Sequence, residues 1–186
     1  MTERSQVLGW VRLAAVYAFI TFLVAVSRPT PTLVVAGTAC ALAGESLRLW
    51  AAGHLVKSVR LITSGPYAYT QNPLYLGRLL ILTGLAIAAR TEAYLNLIAL
   101  AAGYALFFFY YMPRKLRVEG GRLARLHGAA FESYNRSVPI LFPALRRHPG
   151  GEEPWSFTRM VRNQEPLVLA GILLMLGLLA WKSTRP

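Results

Sequence analysis

Four long stretches without a charged residue constrain this chain more than any other feature. They cover residues 13–27, 29–44, 93–113 and 166–181. A helix needs about 20 mostly apolar residues to cross the hydrocarbon core of a bilayer, with about 17 as the lower limit. Together with 55% hydrophobic residues and a mean hydropathy of +0.42, these stretches predict an integral membrane protein and argue against a water-soluble globular domain.

The predicted fold is an all-α membrane bundle of about five transmembrane helices, forming a single domain over residues 1–186. The spans are predicted near 8–27, 31–53, 73–89, 92–112 and 165–182. The third span is the shortest and contains Arg78, which makes its hydropathy signal the weakest. Segments 54–72 and 113–164 connect the spans on the side of the membrane predicted to be cytoplasmic.

The basic residues are distributed unevenly around the predicted spans. Of 20 Lys and Arg, ten lie between residues 113 and 165. The opposite side keeps four, namely Arg28, Arg90, Lys182 and Arg185. Because Lys and Arg accumulate on cytoplasmic loops, we predict a multi-pass protein of the cell (inner) membrane with its N-terminus cytoplasmic and its C-terminus outside. No basic stretch is interleaved with aromatic residues, so nucleic-acid binding is not expected.

A compact turn over residues 65–77 leads directly into an apolar helix. It reads Gly-Pro-Tyr-Ala-Tyr-Thr-Gln-Asn-Pro-Leu-Tyr-Leu-Gly. Asn72 is a favourable N-cap, and Pro73 suits the first helical position, where its missing N–H is not needed. The positive end of the helix favours an anionic group, and the three tyrosines offer faces for a planar ring or a sulfonium cation. The turn predicts a ligand-facing helix start, with interfacial anchoring by the tyrosines as the alternative.

Ionisable residues mark two further candidate positions. Glu45 and Arg48 lie three residues apart inside the second predicted span, where such residues are rare and usually face the bundle interior. A substrate contact and a structural ion pair between helices are both open for them. Glu119 is an acid on a basic segment and is suited to accept hydrogen bonds from a ribose or an amino group. The three histidines are scattered and Cys40 is the single cysteine, so no metal site is predicted.

Two separated motifs resemble a known family. The first is Leu-Ile-Thr-Ser-Gly-Pro-Tyr at 61–67, followed by Asn-Pro-Leu-Tyr-Leu-Gly at 72–77. The second consists of Glu119, Leu123, Gly128, Phe131, Tyr134, Val138, Pro139 and Pro143. Their order and spacing over roughly residues 44–143 resemble the isoprenylcysteine carboxyl methyltransferase and phospholipid methyltransferase family of integral membrane enzymes.

The resemblance implies methyl transfer from S-adenosyl-L-methionine to a lipid-like or prenylated acceptor. It implies cofactor contacts from Arg60, Leu61, Ile62, Tyr67, Asn72, Pro73, Leu74, Tyr75 and Glu119. Lys115 stands where the family places a basic residue near the acceptor, so Lys115 and Glu119 are the expected catalytic residues. The expected substrate residues are Glu45, Arg48 and Lys115. A carboxylate acceptor needs no general base, and none is evident in the sequence, which favours the carboxylate of an isoprenylcysteine-type substrate.

Three residues depart from the family pattern. Asn72 replaces a histidine, Gln71 replaces an arginine, and Gly120 replaces the second acid of a Glu-Glu pair. Three alternatives therefore stay open: a phospholipid head-group amine methyltransferase, an NADPH-dependent membrane sterol-type reductase, and a non-catalytic membrane subunit. In all of them the chain is expected to contact membrane lipids.

Overall fold

The computed structural model describes residues 18, 21–56, 60–151 and 153–185, and their regular structure is helical, as predicted. Most of the predicted first span, 8–27, lies outside the described residues, although 21–26 are helical. The named helices are α1 (Pro31–His54), α2 (Pro73–Ala88), α3 (Leu95–Leu106), α4 (Met112–Lys115), α5 (Gly121–Ser137), α6 (Phe157–Arg162) and α7 (Glu165–Ser183).

Three helical stretches of the described residues are long and apolar enough to cross a membrane. They are Pro31–His54, Glu92–Ser137 and Glu165–Ser183. Helix α2 is apolar but has only 16 residues, which corresponds to about 24 Å against an apolar core of about 30 Å. The structure thus describes three candidate spans and one shorter apolar helix, whereas the sequence predicts five spans.

The predicted fourth span, 92–112, is part of a longer helical stretch. After α3 the chain continues through a π-helical turn at Phe107–Tyr111, then α4, then a second π-helical turn at Leu116–Gly120, and enters α5 without a break. Gly120 and Gly121 both keep helical backbone angles. Glycine lowers helix propensity by about 1 kcal/mol without forcing a break. The break comes at Gly128, with φ 48° and ψ −124°.

Helices α1 and α2 approach each other closely along two pairs of glycines. A Cβ atom on Gly44 would lie 2.6 Å from the carbonyl oxygen of Gly77, and one on Gly37 would lie 2.3 Å from that of Gly84. Small residues let the backbones of membrane helices come into direct contact. Helix α7 packs on the same core through Ile172, Leu176 and Leu179, which lie against Val34, Ala41, Ile81 and Ala88.

Replacing Gly44 by alanine is expected to lower the unfolding temperature of the detergent-solubilised protein. The added methyl group meets the Gly77 carbonyl, and overpacking of this kind costs about 1–3 kcal/mol. Gly103→Ala is the matched control, because a Cβ there has no neighbour within 4 Å and alanine is the better helix former. Thermal unfolding followed by circular dichroism compares the two, and equal midpoints would contradict the close approach of α1 and α2.

The chain between α5 and α7 packs against the C-terminal end of α1. Trp155 Nε1 donates to the Leu49 carbonyl at 3.1 Å, and the Asn163 side-chain amide donates to the Ala52 carbonyl at 2.9 Å. The Ser156 N–H donates to the Gly53 carbonyl at 3.0 Å. Two of these bonds reach the Ala52 and Gly53 carbonyls in the last turn of α1, where no i+4 donor remains within the helix. They also place α6 beside the end of the bundle where α2 begins.

Candidate functional site

A cavity of about 740 Å³ lies where α1 ends and α2 begins. Pockets of about 300–1,000 Å³ are typical of sites for small molecules and cofactors. The cavity is lined by Lys115 and by all nine residues for which a cofactor contact is expected, namely Arg60, Leu61, Ile62, Tyr67, Asn72, Pro73, Leu74, Tyr75 and Glu119. The structure therefore brings the two sequence motifs together, while the binding roles of these residues stay predictions.

Helix α5 contributes residues to the cavity lining that were not among the site residues predicted from the sequence. Phe131, Tyr134 and Asn135 line the cavity together with Gly120 and Leu123. The two groups lie on opposite sides of the break at Gly128, whose positive φ of 48° is readily adopted by glycine. Gly128, Phe131 and Tyr134 all belong to the second motif. The sequence did contain a signal for a helix that bends around a ligand site. This signal is a glycine within a helical pattern, followed by two aromatic residues.

Asn72 immediately precedes α2. The prediction that its side chain caps the helix is wrong. Pro73 occupies the first helical position, in agreement with the prediction, and no side-chain capping bond forms. Instead the Asn72 amide nitrogen donates to the Ile140 carbonyl at 2.8 Å, and Oδ1 accepts a hydrogen bond from Lys115 Nζ. Asn72 is only 4% exposed, so both polar atoms of its side chain are used in tertiary contacts.

Asn72→Ala is expected to destabilise the protein by about 1–3 kcal/mol, because it removes one partner of Lys115 and the side-chain donor to the Ile140 carbonyl. Asn135→Ala is the control. Asn135 is exposed and accepts a hydrogen bond from Gln71 Nε2, which also donates to the Val138 carbonyl, so a change within about 0.5 kcal/mol is expected. Chemical denaturation in mixed micelles measures both, and a larger loss for Asn135→Ala would contradict this role of Asn72.

Lys115 places a positive charge in the cavity wall. Its Nζ lies 3.1 Å from Glu119 Oε2 and 4.7 Å from the centre of the Tyr75 ring. The Tyr75 hydroxyl lies 3.0 Å from the Tyr111 hydroxyl. A carboxylate, an amide and an aromatic face thus hold the ammonium group in one position, where it is able to pair with an anionic group in the cavity.

Tyr67 presents a buried ring to the same cavity. It is 8% exposed, and its carbonyl accepts a hydrogen bond of 2.8 Å from the Tyr134 hydroxyl. Burial raises the pKa of the Tyr67 phenol, so the side chain is neutral at physiological pH and offers an aromatic face. Arg60 lies at the rim, where its guanidinium is 2.6 Å from Glu153.

The chain after α5 lies along the turn before α2 and fixes its shape. The Ala144 N–H donates to the Tyr69 carbonyl at 2.8 Å, and the His148 N–H donates to the Ala68 carbonyl at 2.9 Å. Residues 138–148 therefore form a wall behind the turn. Hydrogen bonds of this wall join the two motifs across 67 and 71 residues of sequence.

Glu45 and Arg48 lie away from the cavity lining, in a buried ion cluster with Glu165. Arg48 Nη2 is 2.8 Å from Glu165 Oε1, whereas Arg48 Nε is 3.5 Å from Glu45 Oε2. All three residues are at most 6% exposed. The cluster joins α1 to α7, and the Arg48 contact with the Leu74 carbonyl at 3.4 Å is its link to the cavity wall. This geometry favours the structural ion pair over a direct substrate contact.

Among the residues that the structure describes, no group of three or more His, Cys, Asp or Glu side chains forms a candidate metal site.

Comparison with known families agrees with the motifs. Residues 43–119 match the family described as phospholipid methyltransferase. The family resemblance predicted from the two motifs is thereby confirmed. The matched segment contains the turn, α2 and the helical stretch as far as Glu119, whereas the α5 wall of the cavity lies beyond it.

Two curated relatives resemble the chain over a longer stretch. The cobalt-zinc-cadmium resistance protein CzcN of Cupriavidus metallidurans is 36% identical over 127 residues, which cover 67% of this chain and 54% of the relative. The nickel-cobalt-cadmium resistance protein NccN of Alcaligenes xylosoxydans xylosoxydans is 38% identical over 100 residues, covering 53% and 44% respectively. The chain thus spans about half the length of these relatives. No solved structure matches it significantly.

Proposed function

We propose that this chain is an S-adenosyl-L-methionine-dependent membrane methyltransferase whose acceptor is lipid-like and carries a carboxylate of the isoprenylcysteine type. The convergence of both motifs on one cavity carries the proposal. The cavity joins the family segment, which ends at Glu119, to aromatic residues of α5. We place the cavity on the cytoplasmic side, because ten Lys and Arg lie in the segment that contains α5 and α6.

The cavity fits the cofactor in size and in the chemistry of its walls. Tyr67 and Tyr75 offer aromatic faces to a purine ring or to a sulfonium, and Leu61 and Leu74 provide apolar surface. The Glu119 side chain is 53% exposed, so its carboxylate is able to accept hydrogen bonds from a ribose or an amino group. When bound, S-adenosylmethionine supplies a methyl group activated by its positively charged sulfur.

The residues of the chain mainly position the acceptor and exclude water. Lys115 is held by Asn72, Glu119 and the Tyr75 ring, and its ammonium group would orient an acceptor carboxylate. A carboxylate attacks without losing a proton, whereas an amine must lose one to a base. Since orientation accounts for much of the rate of such transfers, a fixed cation beside the cavity suits a carboxylate acceptor.

Transfer of a radiolabelled methyl group tests the acceptor class. The purified protein in lipid vesicles is incubated with labelled S-adenosylmethionine and either farnesylthioacetate or phosphatidylethanolamine. Methyl esters release volatile methanol in base, whereas N-methyl groups do not. We expect base-labile label in the farnesylthioacetate product. Base-stable label in phosphatidylethanolamine alone would assign the enzyme to head-group amine methylation instead.

The names of the two relatives motivate a second candidate function, a role in resistance to cobalt and cadmium, the two metals common to both names. Growth of a cobalt-sensitive bacterial host that expresses this chain tests it. If resistance depends on the cavity, the wild type but not Glu119→Gln restores growth. Equal growth with and without the chain would remove this candidate.

A further inference from the structure

The loop after α5 exposes large apolar side chains within the segment predicted to be cytoplasmic. Phe142 is 69% exposed, Leu145 is fully exposed and Ile140 is 41% exposed. A single exposed apolar residue is ordinary, but three of them within six residues form a patch of the kind that marks an interaction surface.

The loop packs on the apolar surface formed by α2 and α4. Leu141 packs in one buried cluster with Leu79 and Met112. Leu79 is the seventh residue of α2, about 9 Å along the helix axis from Pro73. Leu141 therefore packs against the apolar helix α2 near its beginning, and its exposed neighbour Phe142 lies at the same end of that helix.

The backbone of the loop is suited to an apolar environment. Non-helical backbone is tolerated in the apolar part of a membrane only where its polar groups find partners. Four consecutive carbonyls do so: Val138 accepts from Gln71 Nε2 at 2.7 Å, Pro139 from the Gln71 N–H at 2.9 Å, Ile140 from the Asn72 amide at 2.8 Å, and Leu141 from the Thr70 hydroxyl at 2.8 Å. Pro139 and Pro143 carry no N–H that would need an acceptor.

We propose that residues 140–145 insert into the lipid leaflet on the cavity side, with Phe142 and Leu145 against acyl chains. Arg136 and Arg146 are exposed at the two ends of the loop, where their charge complements anionic head groups and their long side chains reach the membrane surface. Because Ile140 also lines the cavity, the loop separates the cavity from lipid. This inference does not depend on the chemistry of methyl transfer.

Site-directed spin labelling of the full chain tests the insertion. Phe142→Cys, Leu145→Cys and the control Ser133→Cys are each made in a Cys40→Ser background, labelled with a nitroxide and reconstituted in phosphatidylcholine and phosphatidylglycerol vesicles. Ser133 is exposed on α5. Collision rates are measured with oxygen, which concentrates in lipid, and with a water-soluble nickel chelate.

Higher oxygen than nickel accessibility at positions 142 and 145, with the reverse at 133, is the expected result. Nickel accessibility equal to that of position 133 at both loop positions would overturn the proposal. Spin–spin broadening with protection from both reagents would also overturn it, because it would indicate an interface between two copies of the chain. If Phe142→Cys does not fold, the Leu145 label decides alone, since that side chain is fully exposed.

Discussion

Replacing Arg48 by methionine is expected to destabilise the protein by about 3–5 kcal/mol, the usual cost of leaving a buried charge without its partner. Methionine resembles the arginine stem in size but carries no charge, so Glu45 and Glu165 would face each other without a cation. Both carboxylates are at most 3% exposed, which prevents water from taking the place of the guanidinium. Thermal unfolding in detergent measures the loss.

Two variants separate this effect from a general loss of packing. Arg28→Met removes an arginine from an ion pair whose side chains are 74% and 75% exposed, and such pairs contribute at most about 1 kcal/mol. Adding Glu165→Gln to Arg48→Met removes one buried negative charge and is expected to restore part of the stability. A loss for Arg48→Met no greater than for Arg28→Met would contradict the cluster.

Glu119→Gln is expected to weaken the binding of S-adenosylhomocysteine by about tenfold to a hundredfold. Hydrogen bonds to a charged group contribute about 1.5–3 kcal/mol, and about 1.4 kcal/mol corresponds to a tenfold change in affinity. Glu132→Gln is the matched control, because Glu132 is an exposed acid of the neighbouring helix that does not line the cavity. Isothermal calorimetry gives both affinities, and equal values would remove Glu119 from the site.

Tyr67→Leu is expected to reduce the same affinity through loss of the aromatic face, for which about 1–3 kcal/mol is typical of a stacked base. The Tyr134 hydroxyl bonds to the Tyr67 backbone carbonyl, so that contact survives the substitution. Tyr69→Leu is the control two residues away, at a position outside the cavity lining. If both tyrosine variants bind equally well, the cofactor lies elsewhere.

The helices were predictable because the length of an apolar stretch is a local property. Pro31 and Pro73 begin helices where the sequence predicts them, and the predicted cofactor residues meet in one cavity. The α1–α2 contact also had a local signal, since Gly37 and Gly44 are spaced by seven residues, as are Gly77 and Gly84. Two helical turns separate the members of each pair, so both lie on one helix face.

Contacts between distant parts of the chain were not predictable in the same way. Glu165 pairs with Arg48 across 117 residues, and the nearer Glu45 was the obvious partner from spacing alone. Asn72 was expected to cap α2, but the loop after α5 and Lys115 bind its side chain instead. In each case a tertiary partner prevails over a local preference.

We propose above all that the cavity binds S-adenosylmethionine. The most direct test is calorimetric titration of the detergent-purified protein with S-adenosylhomocysteine, with NADPH titrated in parallel. Saturable binding of one S-adenosylhomocysteine per chain, without binding of NADPH, is the predicted result. Binding of NADPH alone would contradict the claim and favour a reductase, and binding of neither would favour a non-catalytic membrane subunit.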